Sequence, residues 1–334
     1  MDLGTPGESF STALAINESG VVVGFSVSSN EVWHAFGYQN GLLSNLDARN
    51  GEQSEATAIN DAGQIAGTIL TEVTNQSGPY LTSNAAFVFN RGMLRYPIRT
   101  AGNTSASGIN AWGEIVGGYS SLNGWEHAFA WRNGLLTDLG TLGGSFSAAL
   151  GVNIRGDIVG VSSPASRFPL HPFLFSHGLM HDLGSFGGNV AMAYAINDNG
   201  DVVGFSNTAS NLDQRPFLYS HGRMHDLGTL GGTYVDRGEG ASAIVNYATA
   251  INNRGQIVGS SLAPDGSMHA FLYRNGTMTD LNDLVNLTAI NGPKGFLALA
   301  IANGINERGQ IVGDGPFWDG TNVTYRAFLL NLKL

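Results

Sequence analysis

Residues 248–259 read Ala248-Thr249-Ala250-Ile251-Asn252-Asn253-Arg254-Gly255-Gln256-Ile257-Val258-Gly259. A short apolar stretch, an Asn-x-x-Gly and a second apolar stretch predict a β-hairpin. Asn suits the first position of a type I turn and Gly the fourth, and Gly admits the left-handed bulge residue that fits such a turn to a hairpin. The pattern recurs along the whole chain. Its Asn anchors are Asn17, Asn60, Asn110, Asn153, Asn197, Asn252 and Asn306. Each is followed three residues later by Gly (Gly20, Gly63, Gly113, Gly156, Gly200, Gly255, Gly309) and four later again by another Gly, as at Gly24, Gly160 and Gly259. A small residue or proline and then Phe follows in each unit, at Phe36, Phe87, Phe129, Phe173, Phe217, Phe271 and Phe328.

Each unit reads as four strands, lettered a to d. In the quoted unit, strand a ends at Ile251 and strand b is Gln256-Ile257-Val258-Gly259. Strand c is His269-Ala270-Phe271-Leu272-Tyr273, and after a second Gly turn at Gly276, strand d is Met278-Thr279-Asp280-Leu281. Strands b and c are apolar on both faces, which predicts sheets covered on both sides. Four strands in roughly 40–45 residues is the length of a propeller blade. The expected fold is all-β: a seven-bladed β-propeller of four-stranded blades, forming one domain over residues 1–334. The last unit has no convincing fourth strand, and Met1-Asp2-Leu3-Gly4 looks like the end of one. The N-terminal strand is therefore expected to complete the last blade, removing an open sheet edge.

Composition narrows the function. The net charge is −10, and Lys294 and Lys333 are the only lysines. A nucleic-acid binder needs a basic stripe to displace counterions, and no such stripe is present, so no nucleic-acid partner is expected. The same deficit argues against an anionic membrane surface, and no run reaches the length of a membrane-spanning helix. There is no Cys, which removes disulfides, thiolate metal sites and Cys nucleophiles. The first residues carry no basic flank with an apolar run, so no signal peptide is expected in this chain, although a trimmed mature form fits.

Asp138-Leu139-Gly140-Thr141-Leu142-Gly143-Gly144, with Val152-Asn153, Ile158-Val159-Gly160 and His127-Ala128-Phe129, resembles the bacterial HAF repeat. Asp226-Leu227-Gly228-Thr229-Leu230-Gly231-Gly232 and His269-Ala270-Phe271 match it equally well. The resemblance covers almost the whole chain. The second unit departs most, with Asn84-Ala85-Ala86-Phe87 and no Asp-Leu-Gly. The resemblance implies a repeat and an extracellular or cell-surface location. It implies no reaction and supplies no catalytic residues.

In a propeller the a–b and c–d turns share one face, and the b–c and d–a loops share the other. The first set is short and uniform here; the second varies, so function is expected on the variable face. Its largest expected loops are residues 71–84, 233–247, 282–297 and 314–325. Aromatics lie beside polar groups there: Trp33, Trp125, Tyr234 with Asp236 and Arg237, and Trp318 with Asp319. Flat aromatic faces beside carboxylates suit sugars, whose C–H faces stack while their hydroxyls take hydrogen bonds. The expected function is extracellular carbohydrate recognition by a monomer with a glycan partner. The alternatives are a polysaccharide lyase or glycoside hydrolase and a scaffold for protein partners. An enzyme would draw carboxylate pairs from Asp236, Glu239, Asp314 and Asp319, with Arg237 or Lys294 to neutralise a uronate. No cofactor and no metal is expected. His177, His181, His221 and His225 form matching pairs in units four and five; pairs on separate sheets are too far apart to share an ion, which leaves a within-unit pair such as His177 and His181 as the alternative. The His residues that begin strand c, His34, His127, His171 and His269, read as repeat architecture.

Overall fold

The computed structural model describes residues 1–4, 8–46, 53–75, 78–98, 100, 102–120, 126–165, 168–211, 213–232, 245–285, 287 and 294–332. Among them, regular structure is β-strand apart from one 3-10 turn at Leu281–Leu284. The third unit shows the plan. Strand a is Thr104–Ile109, b is Ile115–Ser120, c is Glu126–Arg132 and d is Leu135–Asp138, each antiparallel to the next. Five such four-stranded sheets recur, and a single bridge between Phe10 and Tyr325 joins the strands of the first and last units.

The a–b turn forms as its residues dictate. Gly20 N–H donates to the Asn17 carbonyl at 3.0 Å, and Asn17 N–H donates to the Val21 carbonyl at 3.1 Å. Gly20 has φ +82°, the left-handed value that the turn requires. The c–d turns are tighter. Asn40 and Gly41 have φ of 52° and 84°, with Gln39 paired to Leu42, which is a two-residue type I′ hairpin.

The second Gly of the repeat has a different cause. Each inner strand carries a bulge, at Leu14, Thr57, Ser107, Leu150, Tyr194, Thr249 and Asn303. The bulge presses the inner strand onto strand b beside that Gly. A Cβ on Gly160 would lie 2.0 Å from the Ala148 carbonyl oxygen, so a side chain is excluded by contact and not by φ.

Between consecutive units lie seven clusters of buried apolar side chains, including one that joins Val312 and Leu329 of the last unit to Ala13 and Phe36 of the first. The repeated Phe of strand c fills one cluster each time and is at most 1% exposed. Such burial contributes on the order of 2–3 kcal/mol per ring.

The joints are also hydrogen-bonded. Ala35 N–H donates to Ser54 Oγ at 3.1 Å, Ala86 to Thr104 Oγ1 at 2.8 Å, Ala128 to Ser147 Oγ at 2.8 Å and Ala327 to Ser11 Oγ at 3.0 Å. In each case the hydroxyl belongs to the inner strand of the following unit. Where the donor position holds Pro172, which has no N–H, the facing residue is Ala191.

Residues 1–4 lie along Val323–Asn331. Met1 carbonyl accepts from Leu329 N–H at 3.0 Å, Leu3 N–H donates to the Ala327 carbonyl at 3.1 Å, and Asp2 bridges Phe328. The third and fourth units have the same bond at the same register, from Leu139 to Ala128 and from Leu183 to Pro172.

Two expected loops are instead mostly strand. Residues 71–84 fall within the arms Ile65–Asn75 and Gly78–Asn90, and residues 314–325 within Gln310–Trp318 and Val323–Asn331. A hairpin pairs its own backbone groups as it lengthens, so the ladder runs on until turn residues stop it. Part of the 282–297 insertion is ordered against the sheet. Asn282 Oδ1 accepts from Leu299 N–H at 2.7 Å, and Gly295–Phe296 adds a short strand beside Phe317 and Trp318.

Candidate functional site

The inner strands surround an axis. Their bulge residues all line one axial cavity of about 510 Å³, together with Glu55, Thr68, Leu70, Ser105 and Ala106. These residues precede the Asn turns, so this cavity is the loop-facing half of the channel. The other half is a mouth of about 270 Å³ rimmed by the seven Asn turns.

The Asn side chains close that mouth into a ring. Nδ2 of each donates to the backbone carbonyl of the next, from Asn17 to Asn60 and onward to Asn306, which donates back to Asn17, at 2.9–3.2 Å. Oδ1 accepts locally, as at Asn110 from Trp112 and Glu114 N–H. Every Asn is 3–5% exposed. The Asn therefore shapes its own turn and ties adjacent units, and both polar ends of its amide are already used.

The loop-facing half is different. Among the described residues Glu55 accepts no side-chain hydrogen bond, and burial pushes its carboxyl up. The Tyr194 hydroxyl likewise has no partner among the described residues, and burial pushes it up to about 12. Tyr247 meets Tyr194 edge-on at 6.2 Å. Burial, then the charges of Tyr194 and Asp314, hold the Tyr247 hydroxyl above its ordinary range. Neither half of the axis has a Lys, Arg or His among its lining residues.

Asp314 sits beside this cavity, 5% exposed. It accepts from Thr12 Oγ1 and, at 3.1 Å, from Asn303 Nδ2. Burial drives its carboxyl up to about 6, against the downward pull of those two bonds. Asp319, by contrast, is a turn-maker at the end of the same strand, accepting from Thr321 and Asn322 N–H at 2.7 Å each. Those bonds hold it below its ordinary value. Five residues of strand, roughly 17 Å, separate the two, which exceeds the ~5–10 Å of a glycosidase pair. The structure does not bring them together.

Of the other candidates, Trp33 and Trp318 are half-buried on the loop side. Trp33 stacks flat on Phe25 at 4.2 Å and 9°. Phe25 continues to Phe10 at 5.9 Å, and Phe10 to Tyr325 at 6.2 Å. This row crosses from the first unit to the last, and Tyr325 is 42% exposed. Trp318 pairs in the ladder with Val323 and Gly295, and the Arg326 guanidinium lies 4.2 Å over neighbouring Phe317. Lys294 is exposed at the edge of the insertion. Trp125, Tyr234, Asp236, Arg237 and Glu239 lie outside the described residues.

The strand-c His residues have partners. His127, His171 and His269 place Nδ1 3.0, 2.7 and 2.5 Å from Asp138, Asp182 and Asp280 of the adjoining outer strand. In two units Arg takes the position and still meets the acid, Arg215 with Asp226 at 4.0 Å and Arg326 with Asp2 at 3.0 Å. At Asp138 burial works upward, but bonds from Gly140 N–H, His127 and Tyr119 outweigh it and hold the carboxyl low.

Units four and five also hold matching Asp–Ser–His sets. Ser176 Oγ lies 2.6 Å from Asp157 Oδ1 and 2.9 Å from His177 Nδ1; Ser220 lies 2.5 Å from Asp201 and 2.9 Å from His221. A nucleophilic serine must give its proton to histidine. Here the hydroxyl proton points at the carboxylate, so Nδ1 must be the donor to the serine oxygen. The sets brace the c–d turns. Among the described residues no three His, Asp or Glu side chains converge as a metal site.

No family model matches this sequence, and neither does any curated protein. Solved structures do match. The chain is similar to a puromycin-hydrolysing peptidase of Mycobacterium tuberculosis, with TM-score 0.57 and 9% identity, covering 98% of this chain and 53% of that one. It is similar to the Pyrococcus horikoshii acylaminoacyl peptidase, with TM-score 0.50 and 12% identity over 96% and 52%. The β-propeller domain of the Trilobed protease from Pyrococcus furiosus matches with TM-score 0.50 and 10% identity over 96% and 92%. The chain spans about half the length of the two peptidases. At these identities the likeness shows the fold alone: the chain is a β-propeller.

Proposed function

We propose that this chain is a seven-bladed, ring-closed β-propeller of the HAF-repeat type. In this reading it works outside the bacterial cell as a monomeric recognition module that holds a glycan on its loop-bearing face. The blade count is supported by the seven Asn turns and the seven inter-unit clusters. Closure by the N-terminus is supported by the bonds of Met1 and Leu3 to Leu329 and Ala327.

The observation that carries glycan binding is the aromatic row Trp33–Phe25–Phe10–Tyr325. Its outer rings are accessible, and a sugar C–H face packs against such a surface. Recognition is favoured over hydrolysis because Asp314 and Asp319 stand apart.

The test is retention on a panel of immobilised polysaccharides, with assay of new reducing or unsaturated ends. Retention without products is expected, and Trp33→Ala and Tyr325→Ala are each expected to weaken it about tenfold, the ~1.4 kcal/mol of one lost stacking contact. No retention on any polymer would end the glycan reading, and released products would make the chain an enzyme.

A further inference from the structure

The axial cavity has a composition that the loop face does not explain. Its wall combines one carboxylate, a tyrosine ring and the aliphatic side chains Leu14, Leu70 and Leu150. Glu55 is partly buried and, among the described residues, has no hydrogen-bond or ionic partner. A desolvated carboxylate without a counter-charge is costly, and a bound cation would offset that cost. Glu55 belongs to the second unit and Tyr194 to the fifth, three steps apart in a sevenfold order, so they stand on opposite sides of the axis.

The chemistry excludes other ligand classes. An anion would meet Glu55 with no basic residue to hold it. A divalent metal needs several hard ligands, and among the described residues Glu55 is the only carboxylate lining this half. Asp314 is not a second ligand, because it is buried and engaged by Thr12 and Asn303. A neutral polyol would leave the carboxylate unpaired and the leucines poorly covered. An ammonium on a short hydrocarbon body satisfies each part: charge at Glu55, and apolar contact with the Tyr194 ring and the leucines.

We propose that the loop-facing half of the axial cavity binds a primary ammonium ion carried on a short apolar body, with Glu55 as its counter-charge and Tyr194 as its aromatic contact. The site is separate from the Trp33–Tyr325 row and does not depend on glycan binding.

The test is calorimetric or NMR titration of the whole chain with n-butylammonium chloride, 1-butanol and calcium chloride. Butylammonium is expected to bind saturably, 1-butanol at least tenfold more weakly, and calcium not to displace the amine. Glu55→Gln is expected to weaken butylammonium about tenfold without lowering the melting temperature, and Tyr194→Leu to weaken it several-fold. Trp33→Ala and Tyr325→Ala are expected to leave it unchanged. Equal binding of 1-butanol, undiminished binding in Glu55→Gln, or displacement by equimolar calcium would each overturn the proposal.

Discussion

Asn306, in the last a–b turn of the chain, donates its Nδ2 proton to the carbonyl of Asn17, in the first, at 3.1 Å across 289 residues of sequence. The same Asn306 accepts from Arg308 and Gln310 N–H through Oδ1. Oδ1 therefore works within the turn, while Nδ2 serves both the joint and the turn, donating also to Gln310 Oε1 at 2.8 Å. Asn306→Asp keeps the acceptor but sets a buried carboxylate oxygen against the Asn17 carbonyl and Gln310 Oε1, and is expected to cost more than about 3 kcal/mol at pH 7. Asn306→Ala removes acceptor and donor together and is expected to cost about 2–3 kcal/mol, leaving buried N–H groups unpaired. Chemical denaturation of the two variants distinguishes these roles.

The N-terminal residues provide a second test. Leu3 is 5% exposed within the cluster that joins the last unit to the first. Removing residues 1–4 discards that burial, roughly 2 kcal/mol, and the ladder bonds to Ala327 and Leu329. The melting temperature is expected to fall by several degrees. An unchanged melting temperature would show that these residues do not close the ring.

Gly160 tests the bulge. Alanine there places Cβ against the Ala148 carbonyl oxygen, with Ala149 Cα and the Phe173 ring within 2.9 Å. Backbone cannot retreat as a flexible side chain can, so Gly160→Ala is expected to lose more than about 3 kcal/mol. The measurement is soluble yield with thermal melting, and ordinary stability would count against the bulge as the reason for Gly.

Asp314 gives a pH signature. Burial raises its carboxyl from the ordinary 3.8 to about 6 in the fold. The folded state then holds more protons than the unfolded state between those values. Its contribution to stability is complete below about 3.8 and is lost as pH rises through about 6. Asp314→Asn removes the titration and keeps an acceptor for Thr12 and Asn303. It is expected to melt higher than the parent at pH 7–8, with the difference shrinking toward pH 4. A difference that does not vary over this range would sink the assignment.

Local chemistry made the turns legible. Asn-x-x-Gly states its own conformation, and Phe after a small residue marks a strand packed on both faces. The Asn-to-Asn bonds are not legible in the sequence, because six of the Nδ2 partners lie 43–55 residues away and the seventh 289, and the turn alone accounts for the Asn. The axial lining is hidden for the opposite reason. Its seven bulge positions hold Leu, Thr, Ser, Tyr and Asn, so no single residue type marks them, and only the ladder register reveals them. Asp314 reads in the sequence as a loop acid because no regular repeat motif continues past Gly313, whereas the paired arms of a hairpin extend the strand to Trp318 without one.

The joints carry an order of assembly. Ser54, Thr104, Ser147 and Ser11 each answer an amide proton on the unit before, whereas Ala191 faces Pro172, which has none to offer. Units that share a motif are thus not interchangeable. Moving the fifth unit behind the third would set Ala191 against the Ala128 amide and strand it without an acceptor. Gene-level shuffling of such an array can keep its joints satisfied among the units that begin with a hydroxyl, whereas the fifth unit must travel with the fourth, whose Pro172 asks nothing of Ala191.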